Sequence, residues 1–143
     1  MISELHTLSE LQVQDVLALM YELDPEMKVS SADVLRMVES DASHFFAAAD
    51  DAGRIVGCAT LCVYDSPTGR KASVEDVVVS SRFRGQGLGK LLMEHVIAYA
   101  KTQLHQVDLH LTSRPHRVAA NALYCRLGFE KRETNAYVLK IRE

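Results

Sequence analysis

Apolar side chains recur at helical spacing near the start of the chain, where Leu8, Leu11, Val16, Leu17, Leu19, Met20 and Leu23 line one stripe. Ser9 with Gln12 three positions later reads as a capping box, and Pro25 stops the helix. A short alternating piece at residues 2–6 precedes it. A second helix is predicted over residues 31–39, with Val34, Leu35 and Val38 as its buried stripe. Residues 44–49 and 54–64 are strand-like and are joined by Asp50-Asp51-Ala52-Gly53, a turn-rich connection that predicts a hairpin. After the loop Ser66-Pro67-Thr68-Gly69, residues 72–80 read as a strand covered on both faces around Val77-Val78-Val79. A long amphipathic helix begins at Leu88 and buries Leu91, Leu92, Val96, Ile97 and Ala100. Residues 107–112 read as a strand and 117–127 as a helix closed by Gly128. Residues 129–132 and 136–141 are predicted as a last pair of strands. The sum is an α/β chain of the α+β type, with one mostly antiparallel sheet flanked by helices. No repeat or linker divides it, so residues 1–143 read as one domain.

Composition narrows the class. With 48% hydrophobic residues the chain has enough apolar material for a sizeable core, which excludes a disordered tail. Sixteen Lys and Arg against nineteen Asp and Glu give a net charge of −3, the wrong sign for a protein that coats nucleic acid. No apolar run is long enough to span a membrane, and Met1-Ile2-Ser3-Glu4-Leu5-His6 lacks the features of a signal peptide. The three cysteines, 58, 62 and 125, are odd in number and lack metal-ligand spacing; this suits a reduced, cytoplasmic setting. The histidines show no metal-ligand spacing either, so no metal is expected.

The informative chemistry lies where the Val-rich strand runs into Arg84-Gly85-Gln86-Gly87-Leu88-Gly89-Lys90. Glycine permits positive φ and close approach of another group. The first helical turn leaves its N–H groups without partners, and the helix dipole adds partial positive charge there. Together they make an anion cradle, with Arg82, Arg84 and Lys90 adding charge. The spacing fits neither a Walker A loop, because Leu91 stands where Ser or Thr is needed, nor the dinucleotide fingerprint, because the pattern is GxGxG.

Residues 84–89 match the Q/R-x-x-G-x-G/A signature of the GNAT superfamily of N-acetyltransferases, which the chain resembles. A second motif of that superfamily is similar to Asn121-Ala122-Leu123-Tyr124-Cys125-Arg126-Leu127-Gly128-Phe129, in the right order along the chain. The resemblance implies acetyl-coenzyme A as cosubstrate. The backbone of Val77, Val78 and Val79 would then pair with its pantetheine arm. The N–H groups of Arg84, Gly85, Gln86, Gly87, Leu88, Gly89 and Lys90 would hold its pyrophosphate, and Asn121 would bond the pantetheine or phosphate region.

Acetyl transfer to an amine needs a base, stabilisation of the carbonyl oxygen and an acid for the departing thiolate. Glu75 is the candidate base, because simple alternation places it on one face with Val77 and Val79; Asp76 then points to the other face. A backbone N–H near Val78 or Val79 is the oxyanion candidate. Tyr124 occupies the position at which the resemblance implies an acid for the coenzyme A thiolate. A phenol near pKa 10 protonating a thiolate near 8.5 runs uphill by about 2 kcal/mol. Two positions depart from the family pattern. Arg117 stands where many members carry Asn, within a basic corner Arg114-Pro115-His116-Arg117, and Ser73 stands where histone acetyltransferases carry a glutamate. The expected reaction is therefore acetyl transfer to the primary amine of a small molecule. The alternatives are a glucosamine-6-phosphate-type amino-sugar acetyltransferase, a non-catalytic acyl-coenzyme A sensor, or a scaffold whose last strand pairs with a second copy as a homodimer.

Overall fold

A computed structural model describes residues 1–142. Within Met1–Thr112 the chain builds a five-stranded sheet in the order β1-β2-β3-β4-β5. The strands are β1 (Ile2–Leu5), β2 (Ser43–Ala49), β3 (Ile55–Ser66), β4 (Gly69–Val79) and β5 (Leu109–His110). The first four pair antiparallel, and β5 joins β4 in parallel. The architecture is thus the mostly antiparallel α/β sheet flanked by helices that the hydrophobic pattern predicts.

Helices α1 (Glu10–Leu23) and α2 (Ser31–Glu39) cover one face. Both start with reciprocal capping boxes: Ser9 with Gln12, and Ser30 with Asp33. Such pairs satisfy two N–H groups that the helix itself leaves open. Val13, Val16, Leu19 and Met20 of α1 and Val34 and Val38 of α2 pack on Phe45, Ala47, Cys58 and Val78. Helix α3 (Leu88–Tyr99) lies on the opposite face, where Leu92, Met93 and Val96 are fully buried. Each such side chain contributes about 1.5–3 kcal/mol of burial. Gly57 of β3 admits this helix, since a side chain there would meet Leu92 Cδ1 at 3.3 Å.

Helix α1 is tied to the β2–β3 hairpin by Asp15. Its carboxylate accepts from Arg54 Nε at 3.1 and 3.0 Å and from the Ile55 N–H at 3.0 Å. Burial pushes this carboxyl up, but the Arg54 and Ile55 hydrogen bonds outweigh it and hold the group below its ordinary value.

Residues 113–142 form a second compact unit. It holds α4 (Val118–Arg126), and Gly128 follows the helix at φ 100°. The predicted strands over 129–132 and 136–141 do not form. Residues 129–142 join no ladder, and Tyr137, Val138, Leu139 and Ile141 are 81–89% exposed. Their alternation is strand-like, but a strand exists only through a partner that satisfies its backbone groups.

Candidate active site

The ladder between β3 and β4 is interrupted once. Thr60 pairs with Glu75 and Cys58 with Val78, so Asp76 and Val77 together face the single residue Ala59. This is a β-bulge, and Asp76 takes the left-handed conformation at φ 53°. Asp is among the few non-glycine residues that tolerate that region.

The bulge reverses the parity of β4. Before it, Glu75 lies opposite Thr60; after it, Val79 lies opposite Gly57, with Val79 Cγ2 on the side of the sheet where Leu92 packs. Residues 57 and 60 of β3 are on opposite faces. Glu75 therefore shares the α1–α2 face with Ser73, Thr60, Cys58 and Val78, and not the face of Val79 that plain alternation predicts. Ser73 Oγ donates to Glu75 Oε1 at 2.7 Å, which fixes the carboxylate from the residue two positions back.

Asp76, expected on the other face, sits in the bulge beside Glu75. Burial and the neighbouring Glu75 charge hold its carboxyl above the ordinary value. Burial, with the Asp76 charge added, pushes the Cys58 thiol up to about 12. Cys62 also rises through burial, opposed by a Ser43 hydrogen bond and reinforced by Glu75 and Asp76. Both thiols are kept in the protonated, poorly nucleophilic form. The face thus offers carboxylates to take a proton, and no activated cysteine to accept an acyl group.

Parallel pairing of β5 with β4 is confined to Ala72 and Ser73, so the two strands part before the bulge. The Ser80 N–H bonds Val56 O on β3, and alternation then aims the N–H and C=O of Val79 at the edge away from β3. Arg84 Nε donates to Val79 O at 3.1 Å at that edge.

Beyond β4, a 3-10 turn (Ser81–Phe83) leads into the glycine loop. Gly85 and Gly87 both sit at φ 79°, and Gly87 is the left-handed N-cap of α3. A side chain at either would be strained, yet would project into open space with nothing within 4 Å. The residues present therefore fit a bound anion: open space beside Gly85 and Gly87, exposed residues from Arg84 to Gly87, and the unpartnered N–H groups of the first turn of α3. Among the described residues no group of three His, Cys, Asp or Glu side chains is arranged for a metal ion. No helix among them is long and apolar enough to cross a membrane.

Tyr124 and Asn121 lie on α4 in the second unit. Tyr124 is 6% exposed and meets Phe129 edge-to-face at 6.1 Å. Burial raises its phenol above the ordinary value, while Arg117 pulls in the other direction. The phenol is therefore protonated across the neutral range, as an acid must be, and its proton transfer is steeper than that of a solvated tyrosine. Asn121 Nδ2 donates to Arg114 O at 3.1 Å, bracing the turn before α4. Arg117, singled out in the sequence as a departure from the family pattern, is the N-cap of α4 and acts on Tyr124. Ser73 was legible in the same way, as the same-face neighbour of Glu75.

Comparison with known proteins fits this geometry. The sequence model of the Acetyltransferase (GNAT) family matches residues 11–129. N-acetyltransferase 8 of Rattus norvegicus is 36% identical over 102 residues, covering 70% of this chain and 46% of that protein. The chain spans about half the length of the curated relatives it matches. Among solved structures, a protein of Agrobacterium tumefaciens described as an acetyltransferase aligns at a TM-score of 0.82 with 22% identity, covering 98% of this chain and 99% of that one. Glucosamine-6-phosphate N-acetyltransferase of Arabidopsis thaliana aligns at 0.74 with 20% identity, covering 97% of each chain. At these identities the structural likeness speaks for the fold.

Proposed function

This chain belongs to the GNAT acetyltransferase family, and we propose that it transfers an acetyl group from acetyl-coenzyme A directly to the primary amine of a small molecule. One observation carries the reading: the glycine loop opens α3 directly after a β4 edge from which β5 has parted. When bound, acetyl-coenzyme A supplies the acetyl group as a thioester.

The chain's own residues supply the rest. The β4 edge along Val77, Val78 and Val79 receives the pantetheine arm as an added strand, with Val79 presenting the outward N–H and C=O. The N–H groups of residues 84–90 receive the pyrophosphate, helped by the charges of Arg84 and Lys90. Asn121 is assigned to the same ligand by the motif it belongs to. An amine of pKa about 10.4 costs about 4.6 kcal/mol to deprotonate at pH 7. Glu75, oriented by Ser73 Oγ, takes that proton directly or through a water. A backbone N–H near Val78 or Val79 steadies the carbonyl oxygen. The Tyr124 hydroxyl gives its proton to the departing sulfur, and its raised pKa means that this happens only as the carbon–sulfur bond breaks.

Direct transfer is supported by the protonated state of Cys58 and Cys62, which disfavours an acyl-cysteine route. All three cysteines are free thiols, which supports a reducing, cytoplasmic setting. The absence of an acid at Ser73 supports a small amine over a protein lysine, and the N-acetyltransferase names of the relatives support transfer to nitrogen.

The test is coenzyme A release from acetyl-coenzyme A against a panel of primary amines, comparing the wild type with Glu75→Gln and Tyr124→Phe. The reading expects turnover with at least one amine and its loss in both variants, with acetyl-coenzyme A affinity kept. Binding without turnover on any amine would identify a sensor instead.

A further inference from the structure

Glu22 stands in the last turn of α1, far in sequence from the glycine loop, and its carboxylate reaches that loop. The Ser81 N–H donates to Glu22 Oε1 at 2.9 Å, and Arg84 Nη2 lies 3.7 Å from the same oxygen. Arg84 in turn donates through Nε to Val79 O at 3.1 Å. One carboxylate oxygen thus connects the start of the 3-10 turn and, through Arg84, the end of β4. The glutamate side chain is 29% exposed and the arginine 58%, so the ion pair is solvated on one side.

We infer that Glu22 is a positioning residue for the pyrophosphate loop, bracing it from α1 so that its N–H groups point into the cradle before ligand arrives. The inference rests on the cofactor reading of residues 84–90. Helix α1 is a firm anchor, because Val13, Val16, Leu19 and Met20 hold it in the core. The loop is the opposite. Gly85 and Gly87 carry no side chain that packs, and glycine loses the most conformational freedom on ordering. A tether from the rigid helix to Ser81 and Arg84, just before Gly85, limits the conformations that binding must freeze out.

Electrostatics alone argues for the reverse outcome, which makes the inference sharp. A carboxylate close to a pyrophosphate site repels the ligand, so its removal should tighten binding. The brace demands that removal weaken it.

Coenzyme A binding is measured by calorimetry on the wild type, Glu22→Gln and Glu22→Ala, together with steady-state kinetics in acetyl-coenzyme A. Glu22→Ala is expected to weaken coenzyme A by roughly tenfold, the usual size of losing hydrogen bonds to a charged group. Glu22→Gln keeps an acceptor for the Ser81 N–H and should recover part of that loss. The Michaelis constant for acetyl-coenzyme A should rise more than kcat falls, with that of the amine held, a split that general destabilisation would not produce. If the wild type binds and either variant binds equally or more tightly, the brace is refuted and the cradle stands. Failure of the wild type itself to bind coenzyme A overturns the cradle, and the brace with it. Glu22→Gln keeps the side-chain shape, so it decides the question even if the alanine variant folds poorly.

Discussion

The glycine loop at residues 84–90 and the bulge at Asp76 belong to one continuous stretch of chain, yet they are specified in opposite ways. The loop is mostly local. Two glycines at φ 79° and a helix start shape the anion cradle from neighbouring residues, with Glu22 of α1 as a distant brace. The bulge is relational. It exists only because β4 lies against β3 with Asp76 and Val77 facing Ala59, and that register decides which face Glu75 occupies. Binding chemistry can therefore be read from neighbouring residues, whereas the direction of a catalytic side chain depends on a strand pairing elsewhere.

Separating the two regions by mutation is the strongest test of that contrast. Glu75→Gln is expected to lower kcat by roughly 10²–10⁴, the usual range for a general base, with coenzyme A affinity unchanged by calorimetry. Gly87→Val should do the converse. Forcing a β-branched residue into the left-handed N-cap costs about 1–3 kcal/mol, so coenzyme A should bind roughly tenfold or more weakly. A large loss of coenzyme A affinity in Glu75→Gln would dissolve the distinction between the two regions.

Ser73→Ala sharpens the bulge side. Its hydroxyl orients Glu75 at 2.7 Å, so kcat should fall by roughly three- to tenfold, a loss of about 1 kcal/mol. Ser73→Thr should restore most of it if the hydroxyl is the active feature, and kcat against the amine panel reads both.

Two carboxylates with opposite shifts give the smaller, stability-level effects. Asp15 is held below its ordinary value of 3.8, so its contribution is complete above that pH and is lost as pH falls through the folded value. Asp15→Asn should lower stability at pH 7 by about 1–3 kcal/mol in urea unfolding, and the deficit should shrink on acidification below pH 3.8. Asp76 is raised, so its favourable contribution is present below 3.8 and is lost as pH rises through the folded value. Asp76→Asn, which also suits the left-handed conformation, should therefore be modestly more stable than the wild type at pH 7, with the gap closing below pH 3.8.

Much of the fold was legible because its signals are periodic and local. The Ser9–Gln12 box starts α1, and α3 starts at Leu88 after a strand that ends at Val79, whereas only Leu109–His110 of the strand predicted over residues 107–112 forms. The errors have one cause. Residues 136–141 alternate as a strand should, but nothing pairs with them, and Tyr137 is 89% exposed. Glu75 was found as a residue and assigned the wrong face, because an unforeseen bulge shifts parity by one. Glu22 gave no local signal at all, since its partners Ser81 and Arg84 belong to a distant part of the sequence. What propensity and spacing cannot encode is the register between segments.

The central claim is that residues 84–90 hold the pyrophosphate of acetyl-coenzyme A. It is tested most directly by thermal unfolding with acetyl-coenzyme A, coenzyme A and ATP at matched concentration. Ligand at 100 times its dissociation constant adds about 2.7 kcal/mol, so both coenzyme A species should raise the midpoint by several degrees while ATP leaves it near the unliganded value. No shift with either coenzyme A species, or an equal shift with ATP, would contradict the assignment of the loop and of the mechanism built on it.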